Sequence, residues 1–275
     1  MSKQIEVTFP DFGGLFDSHA HYFDSRFDGQ ADDLLEHGIF GKGVAGIVNV
    51  GTNPENALYC IEQAKHFSQM YVAVGIHPED CKALTGTVDE EISRIRALLD
   101  TPEKRKEHKI VALGEIGLDY YWQPYEKEKQ ALYFEKQLAL AEELDLPVLI
   151  HDREAHGDCF EMVLRYPKVK GVFHSFSGSA EMAKELTRRG WYISFSGVLT
   201  FKNAKKVREV AETVPMEQML IETDAPYLAP EPFRGKLNHS GLMAFTAQNL
   251  AEIRGVPYEK IVKQTAENAK RLFSL

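Results

Sequence analysis

Two histidines separated by one residue, His19 and His21, end a short apolar run that begins at Leu15. Residues i and i+2 of an extended strand face the same side, so both imidazoles would point in one direction where the strand ends. Two imidazoles arranged in this way are suited to bind one metal ion. The pair alone is a weak signal, and its meaning depends on what the rest of the chain brings to the same place.

Four further residues of metal-binding type stand at or just past the ends of other apolar runs. They are Glu115, His151, His174 and Asp224. A single histidine at a strand end is more often a hydrogen-bonded core residue than a ligand, so the prediction depends on the joint pattern. Four histidines and two carboxylates exceed one tetrahedral shell, which favours two metal ions. Glu115 comes from a middle run and is the natural bridging carboxylate.

Eight short apolar runs alternate with helical patterns along the chain. The runs cover residues 15–21, 44–50, 71–76, 110–114, 147–150, 171–173, 191–196 and 219–221. This alternation predicts a parallel (β/α)8 TIM barrel, with a doubly wound open sheet as the alternative. A closed barrel brings all C-terminal strand ends to one face, so the six ligands would meet there. We expect one domain over residues 1–275.

Composition narrows the class of protein. The formal net charge is -9, which disfavours non-specific wrapping of duplex nucleic acid. Three cysteines at wide spacing predict free thiols in a reducing compartment. Residues 1–6 contain no apolar run and no stretch is long enough to span a membrane, so we expect a cytoplasmic protein without membrane partners.

Six motifs, in order along the chain, resemble the TatD family of metal-dependent hydrolases within the amidohydrolase-like barrels. They are Asp17-Ser18-His19-Ala20-His21, Gly75-Ile76-His77-Pro78, Gly114-Glu115-Ile116-Gly117-Leu118-Asp119-Tyr120, Pro147-Val148-Leu149-Ile150-His151-Asp152-Arg153, His174-Ser175-Phe176-Ser177-Gly178 and Glu222-Thr223-Asp224-Ala225-Pro226-Tyr227-Leu228-Ala229-Pro230. The resemblance implies a TIM barrel with a dinuclear site, in which His19, His21 and Asp224 hold one divalent ion. His151 and His174 would hold the other, with Glu115 between them.

The resemblance also implies an activity. Family members are described as deoxyribonucleases, often 3′→5′ exonucleases on single strands, so we expect single-stranded DNA as substrate and partner. The sequence does not determine the oligomeric state, for which a monomer is our expectation. Mixed histidine and carboxylate ligands suit Zn, Mn, Co, Ni or Mg, and the sequence does not choose among them. In one loop the chain departs from the family pattern: Asn238-His239-Ser240 stands where the family has Asn-Glu-Pro.

Further residues are assigned roles on weaker grounds. Asp224 is the expected general base, with a pure ligand role as the alternative. Arg153 is expected to bind phosphate, or else to pair with Glu154 or Asp152. His77 is expected to contact phosphate or leaving group, unless its role is structural, and Arg234 to add positive charge at the site, unless it is merely solvated.

Three aromatic residues follow Glu115, namely Tyr120, Tyr121 and Trp122. They would either stack on bases of a single strand or pack over the barrel rim.

Two competing functions stay open at this point. The same ligand set in amidohydrolase-like barrels can open another ester, lactone or amide, and the acidic net charge and the altered loop favour that alternative. A barrel with purely structural metal ions is the other, although structural zinc sites prefer closed, cysteine-rich shells.

Overall fold

Eight parallel strands, each hydrogen-bonded to its neighbours in sequence, form a nearly closed barrel. The computed structural model describes residues 10–275, so the N-terminal residues 1–6 discussed above lie outside it. The strands are β1 (Phe16–Ala20), β2 (Gly46–Val50), β3 (Met70–Val74), β4 (Ile110–Asp119), β5 (Val148–Arg153), β6 (Gly171–Phe173), β7 (Tyr192–Phe195) and β8 (Met219–Ile221). The predicted TIM barrel is therefore confirmed, whereas one domain over 1–275 stays a prediction.

Helices separate the strands and cover the outside of the barrel. They are α1 (Ala31–Asp33, continued by a π-helical turn over Leu34–Ile39), α2 (Pro54–His66), α3 (Val88–Leu99), α4 (Pro102–Glu107), α5 (Lys127–Leu144), α6 (His156–Leu164), α7 (Ala180–Arg188), α8 (Lys205–Thr213), α9 (Met243–Arg254) and α10 (Tyr258–Phe273). Helix α4 begins at the N-cap Thr101 followed by a proline but buries none of its residues, whereas α6 begins without a side-chain cap and buries Cys159, Met162 and Val163.

The barrel interior is filled by strand side chains and closed at one end by α10. The inward cluster consists of Phe16, Val48, Val50, Ala73, Ala112, Leu149, Val172 and Leu220, together with Ala266, Ala269, Leu272 and Phe273 of α10. The rings of Phe16 and Phe273 stack at 6.4 Å at the N-terminal end of the strands. Because that end is sealed by apolar packing, only the opposite end, called the mouth here, is left for polar chemistry.

The seam between β1 and β8 closes through hydrogen bonds just past the strand ends. The backbone N–H of His21 donates to Ala225 at 2.7 Å, and that of Asp224 donates to His19 at 2.9 Å. Asp17 reinforces the seam, since it accepts from the hydroxyl of Thr223 at 2.6 Å and from its backbone N–H at 3.0 Å. The residues that close the barrel are thus neighbours of the expected metal ligands, or the ligands themselves.

Two composition-based expectations can be compared with the structure. All three cysteines are buried free thiols, as predicted. Within residues 10–275, no helix combines the length and the apolar character that crossing a bilayer requires.

Gly117 lies in β4 at a position that only glycine can occupy without strain. Its φ is +147°, and a Cβ there would lie 1.9 Å from the carbonyl oxygen of His151 on β5. We expect Gly117→Ala to lower the free energy of unfolding by roughly 2–4 kcal/mol, measured by urea denaturation. Gly157→Ala in α6 is the matched control, because a Cβ there meets nothing within 4 Å, and its change should stay within about 1 kcal/mol. Equal effects for the two variants would contradict this account.

Candidate metal centre

The carboxylate of Glu115 lies at the centre of the mouth and is surrounded by imidazoles. Its Oε1 is 2.7 Å from His151 Nδ1 and 2.7 Å from His174 Nε2. Its Oε2 is 3.2 Å from His19 Nε2 and 3.5 Å from His21 Nε2. Each carboxylate oxygen therefore faces a different pair of histidines, which is the arrangement expected of a bridging ligand.

Asp224 completes the group on the β1 side of the mouth. Its Oδ1 is 3.3 Å from His21 Nε2 and 4.0 Å from His19 Nε2, and those two nitrogens are 3.1 Å apart. The structure thus brings together all six residues that the sequence predicts as ligands. His19 and His174 connect the two halves, since their rings stack at 4.0 Å.

The spacing of these donor atoms fits divalent ions. A tetrahedral ion with bonds of roughly 2.0–2.1 Å separates its ligand atoms by about 3.3 Å. The separations between His19 and His21 nitrogens, 3.1 Å, and between His151 and His174 nitrogens, 3.3 Å, are close to that value. In the described chain, three groups of side chains place their ligand atoms within 4.8 Å of one another: His19, Glu115 and His174; His19, His21 and Asp224; and His77, Glu115 and His151.

The space enclosed by His19, His21, Glu115, His151, His174 and Asp224 is called the cup here. Three of its four histidines also contact an outer partner through the ring nitrogen that points away from the cup. His21 Nδ1 lies 2.7 Å from the carbonyl of Val50, His151 Nε2 lies 2.9 Å from Asp119, and His174 Nδ1 lies 3.2 Å from Glu222. A carbonyl or carboxylate in this position fixes the tautomer, so that the other nitrogen presents its lone pair to a metal. His19 Nδ1 has no hydrogen-bond partner in the described chain.

Asp119 and Glu222 are site residues that the sequence reasoning did not assign. Both are buried carboxylates, 1% and 0% exposed. A usable signal existed for Glu222, since it lies two residues past the inward-facing Leu220, and alternation carried one step past β8 turns it to the same face. Asp119 gave a weaker one, as a carboxylate at the end of a strand that already carries a ligand.

Irregular strand pairing directs two of the ligands into the mouth. The register between β1 and β2 shifts between Asp17 and Ala20, and that between β4 and β5 shifts between Leu113 and Ile116. His19 and Glu115 lie within these shifts. Such bulges occur next to active sites because they re-aim a side chain that strict alternation would turn away.

Asp224 is held in an unusual backbone conformation. Its φ is +56°, in the left-handed region that costs a non-glycine residue about 1 kcal/mol or more. Backbone hydrogen bonds on both sides maintain it, from Asp224 N–H to His19 and from Tyr227 N–H to Asp224. The conformation accompanies the carboxylate's position beside His21.

The electrostatics of the cup require positive charge. Burial opposes ionisation of Glu115, yet the imidazoles of His174, His19 and His77 hold the pKa of its carboxyl well below the usual value. Burial likewise disfavours a charged His151, but its hydrogen bonds with Asp119 and Glu115 raise the pKa of that imidazole to about 9. In the protein alone, a protonated His151 supplies positive charge beside the two carboxylates. Bound divalent ions would supply positive charge at the same place.

His77 lies at the edge of the cup as a hydrogen-bond donor. The backbone N–H of Glu79 donates to its Nδ1 at 3.1 Å, which leaves the ring proton on Nε2. That Nε2 is 3.7 Å from Glu115 Oε1. Burial, and then the charge of His151, lower the pKa of His77 to about 3, so the ring is neutral. A protonated Nε2 makes His77 a poorer metal ligand than the other four histidines.

The two predicted arginines lie outside the cup. Arg153, the last residue of β5, is exposed and stacks over the ring of Tyr121 with 4.1 Å from its guanidinium carbon to the ring centroid. The alternative ion pairs with Glu154 or Asp152 are absent from residues 10–275. Arg234, in the loop after β8, is exposed and lies 4.3 Å from the ring centroid of Phe201.

The loop that departs from the family pattern has a structural role. The side chain of Asn238 is buried and donates to the carbonyls of Thr223 and Tyr227 at 2.9 and 2.6 Å. Ser240 is buried beside Tyr22, with 2.8 Å between their hydroxyls. His239 belongs to none of the three ligand groups found in the described chain. The altered loop therefore supports the seam near β8 and adds no ligand to the cup.

Comparison with known proteins gives a consistent result. The model of the family described as TatD related DNase matches residues 16–274. An uncharacterized metal-dependent hydrolase of Bacillus subtilis, YabD, is 38% identical over 263 residues, covering 95% of this chain and 99% of its own. Another from Escherichia coli, YcfH, is 34% identical over 267 residues, covering 95% and 96%.

Solved structures agree with these sequence matches. The crystal structure of YjjV, a TatD homologue from Escherichia coli K12, is 29% identical, covers 96% of this chain and 99% of its own, and superposes with a TM-score of 0.87. A phosphotriesterase homology protein from Escherichia coli shares the fold at 14% identity, with a TM-score of 0.65 and coverage of 96% and 100%.

Divalent metal is expected to stabilise the protein through this centre. At a free ion concentration about 100 times the dissociation constant, binding adds about 2.7 kcal/mol to the free energy of unfolding. Thermal unfolding with and without Mn²⁺ or Zn²⁺ should show this stabilisation in the parent and lose most of it in His19→Ala. His37→Ala is the control, because His37 is an exposed surface histidine. A His19→Ala protein that responds to metal as the parent does would contradict the assignment.

Proposed function

The chain belongs to the TatD family of metal-dependent hydrolases, and we propose that it is a deoxyribonuclease that cleaves phosphodiester bonds of single-stranded DNA in the 3′→5′ direction. The observation that supports this best is the bridging position of Glu115 between two histidine pairs. Two-metal centres of this kind are used for in-line displacement at phosphate, where both the attacking and the leaving oxygen carry negative charge. The family's description as related to DNases supports the choice of substrate.

The proposed ligands divide between two ions. His19, His21 and Asp224 would hold one and His151 and His174 the other, with Glu115 between the two histidine pairs. Bound divalent ions would lower the pKa of a water molecule toward neutrality and neutralise the oxygens of the phosphate. Histidine and carboxylate donors are compatible with Mg, Mn, Zn, Co or Ni.

Asp224 is the proposed general base. With a side chain that is 16% exposed, it is more open to the mouth than the Glu115 carboxylate, at 3%. It can therefore accept a proton from the attacking water and pass it on to the leaving oxygen or to solvent. The Glu115 carboxylate, enclosed by imidazoles, holds the two histidine pairs in place and keeps the charge of the cup balanced.

Three residues are proposed to bind the substrate. His77 offers the proton on Nε2 as a neutral donor to a phosphate or leaving-group oxygen, a role that its hydrogen bond from Glu79 favours. Arg153 and Arg234 present guanidinium groups whose N–H edges match phosphate oxygens. Both are positioned by aromatic rings.

Nuclease activity can be measured on a single-stranded oligonucleotide labelled at its 5′ end, with added Mg²⁺ or Mn²⁺. We expect products that shorten progressively from the 3′ end, and no cleavage after chelation. Asp224→Asn should lower kcat by about 100-fold or more, the range for loss of a general base. His19→Ala should lose at least the ~10–100-fold that the loss of an outer-shell partner costs.

His37→Ala serves again as the surface control and should retain parental activity. Cleavage that survives chelation, or that persists at the parental rate in His19→Ala, would mean that the activity comes from elsewhere.

Hydrolysis of another ester, a lactone or an amide is the second candidate, and the net charge of -9 favours it. An acidic surface repels a polyanion outside the mouth and is indifferent to an uncharged substrate. A panel of lactone, ester, amide and oligonucleotide substrates on one metal-loaded preparation separates the two. Turnover confined to the uncharged substrates would replace the nuclease proposal with this one.

A further inference from the structure

Two exposed aromatic side chains stand at the mouth directly after β4. Tyr121 is 50% exposed and Trp122 is 49% exposed. Their rings meet edge to face, 4.9 Å apart. Tyr120, by contrast, is engaged in packing, since its hydroxyl donates to Asp158 at 2.8 Å and its ring stacks on Tyr125. The three aromatic residues thus separate into one that supports the loop and two that face solvent.

Arg153 joins the two exposed rings from the neighbouring strand. Its guanidinium carbon lies 4.1 Å from the ring centroid of Tyr121 and 5.3 Å from that of Trp122. Arg153 forms no ion pair within the part of the chain that the structure describes. A guanidinium stacked in this way keeps its N–H edges available to an anion while its orientation is fixed by the rings.

Asp119 ties this cluster to the metal centre. Its Oδ1 accepts hydrogen bonds from the backbone N–H groups of Tyr121 at 2.9 Å and of Trp122 at 3.2 Å. Its Oδ2 is 2.9 Å from Nε2 of His151. One buried carboxylate therefore holds a proposed metal ligand with one oxygen and the aromatic loop with the other, which fixes the distance between the two.

We propose that Tyr121, Trp122 and Arg153 form a binding subsite for one unpaired nucleotide of the substrate strand. One of the two aromatic rings stacks on the base, and the guanidinium of Arg153 binds the adjoining phosphate. The inference rests on the proposed nuclease function and adds to it how a single strand is preferred. In a duplex both faces of a base are already stacked, so only an unpaired base gains from the two rings.

The choice of a nucleotide over a protein partner follows from charge. The chain is acidic as a whole, and at this position a cation that has no carboxylate partner among residues 10–275 stands beside aromatic faces. That combination suits a ligand with both an anion and a flat π-surface. A second copy of this acidic chain offers no such match, and self-association through the same rings is one outcome of the test below.

The subsite carries its own reporter, because one of the two tryptophans of the chain is Trp122. The other, Trp191, is 3% exposed and lies outside the mouth, against Phe173. Titration of metal-free protein with an oligothymidine of about 10 nucleotides, within the ~4–16 nucleotides that single-strand grooves cover, should quench the fluorescence saturably. An abasic oligonucleotide of equal length and charge should not, and Trp122→Phe should abolish the response.

Variants separate the roles of base and phosphate. Tyr121→Ala should weaken binding of oligothymidine by roughly 5- to 150-fold, which corresponds to the 1–3 kcal/mol of one stacked base, and should weaken abasic binding less, because there only the ring that supports Arg153 is lost. Arg153→Gln should weaken both ligands. Tyr59→Ala is the matched control, since Tyr59 is 51% exposed on α2, away from the mouth, and should behave as the parent.

Turnover then distinguishes the subsite from the nuclease function. In metal-loaded protein, Tyr121→Ala should raise KM for oligothymidine and leave kcat unchanged. If DNA is cleaved with the parental KM in this variant, the subsite is wrong and the nuclease function stands. If oligothymidine binds in a base-dependent manner but no DNA is cleaved, the nuclease function fails and the subsite stands.

Two other results would overturn the subsite. One is equal affinity of the parent for oligothymidine and the abasic strand. The other is a dimer, detected by sedimentation across a concentration series, that Trp122→Ala dissociates, because the rings would then be covered by a second copy.

Discussion

A buried carboxylate surrounded by imidazoles is the constraint on which the rest of this structure depends. Glu115 is 2% exposed, and the mouth also places Asp224 beside the same histidines. Charge in such a place is costly unless opposite charge and hydrogen bonds compensate it. The imidazoles can supply that charge only by taking up protons, whereas divalent ions supply it while leaving the imidazoles neutral. The fold thus places several ligand atoms together at a point where bound cations would offset the free-energy cost of burying the carboxylates.

Closure of the barrel and the geometry of the metal centre depend on the same residues in this chain. The seam between β1 and β8 depends on backbone hydrogen bonds of His21 and Asp224, and on the contacts of Asp17 with Thr223. A seam that slipped by one residue would therefore misplace ligands on both sides at once. Stability of the seam and geometry of the cup cannot vary independently, and the structural role of Asn238 near β8 follows the same logic.

The sequence predicts the barrel and the set of residues in the mouth well. It predicts correctly for some of these residues, but not for others, which side of the strand the side chain faces. His151 lies two residues past Leu149, and His174 two residues past Val172, so simple alternation turns both inward from buried positions. The same reasoning fails for Glu115, which alternation would place with the outward-facing Leu113.

A register shift in β4 turns the side chain of Glu115 to the inner face of the barrel, and no pattern in the sequence predicts this shift. A similar shift in β1 affects His19. Asp119 and Glu222 stand at strand ends where the sequence could have flagged them, but their role as outer partners depends on which imidazole each one contacts, and that is known only once the rings are positioned. Positive charge at the mouth is fixed in the same indirect way, by aromatic rings beneath arginines. Arg153 over Tyr121 and Arg234 over Phe201 show how an acidic chain can present an ordered cationic rim to an anion, because stacking removes the freedom that a solvated side chain would otherwise lose on binding.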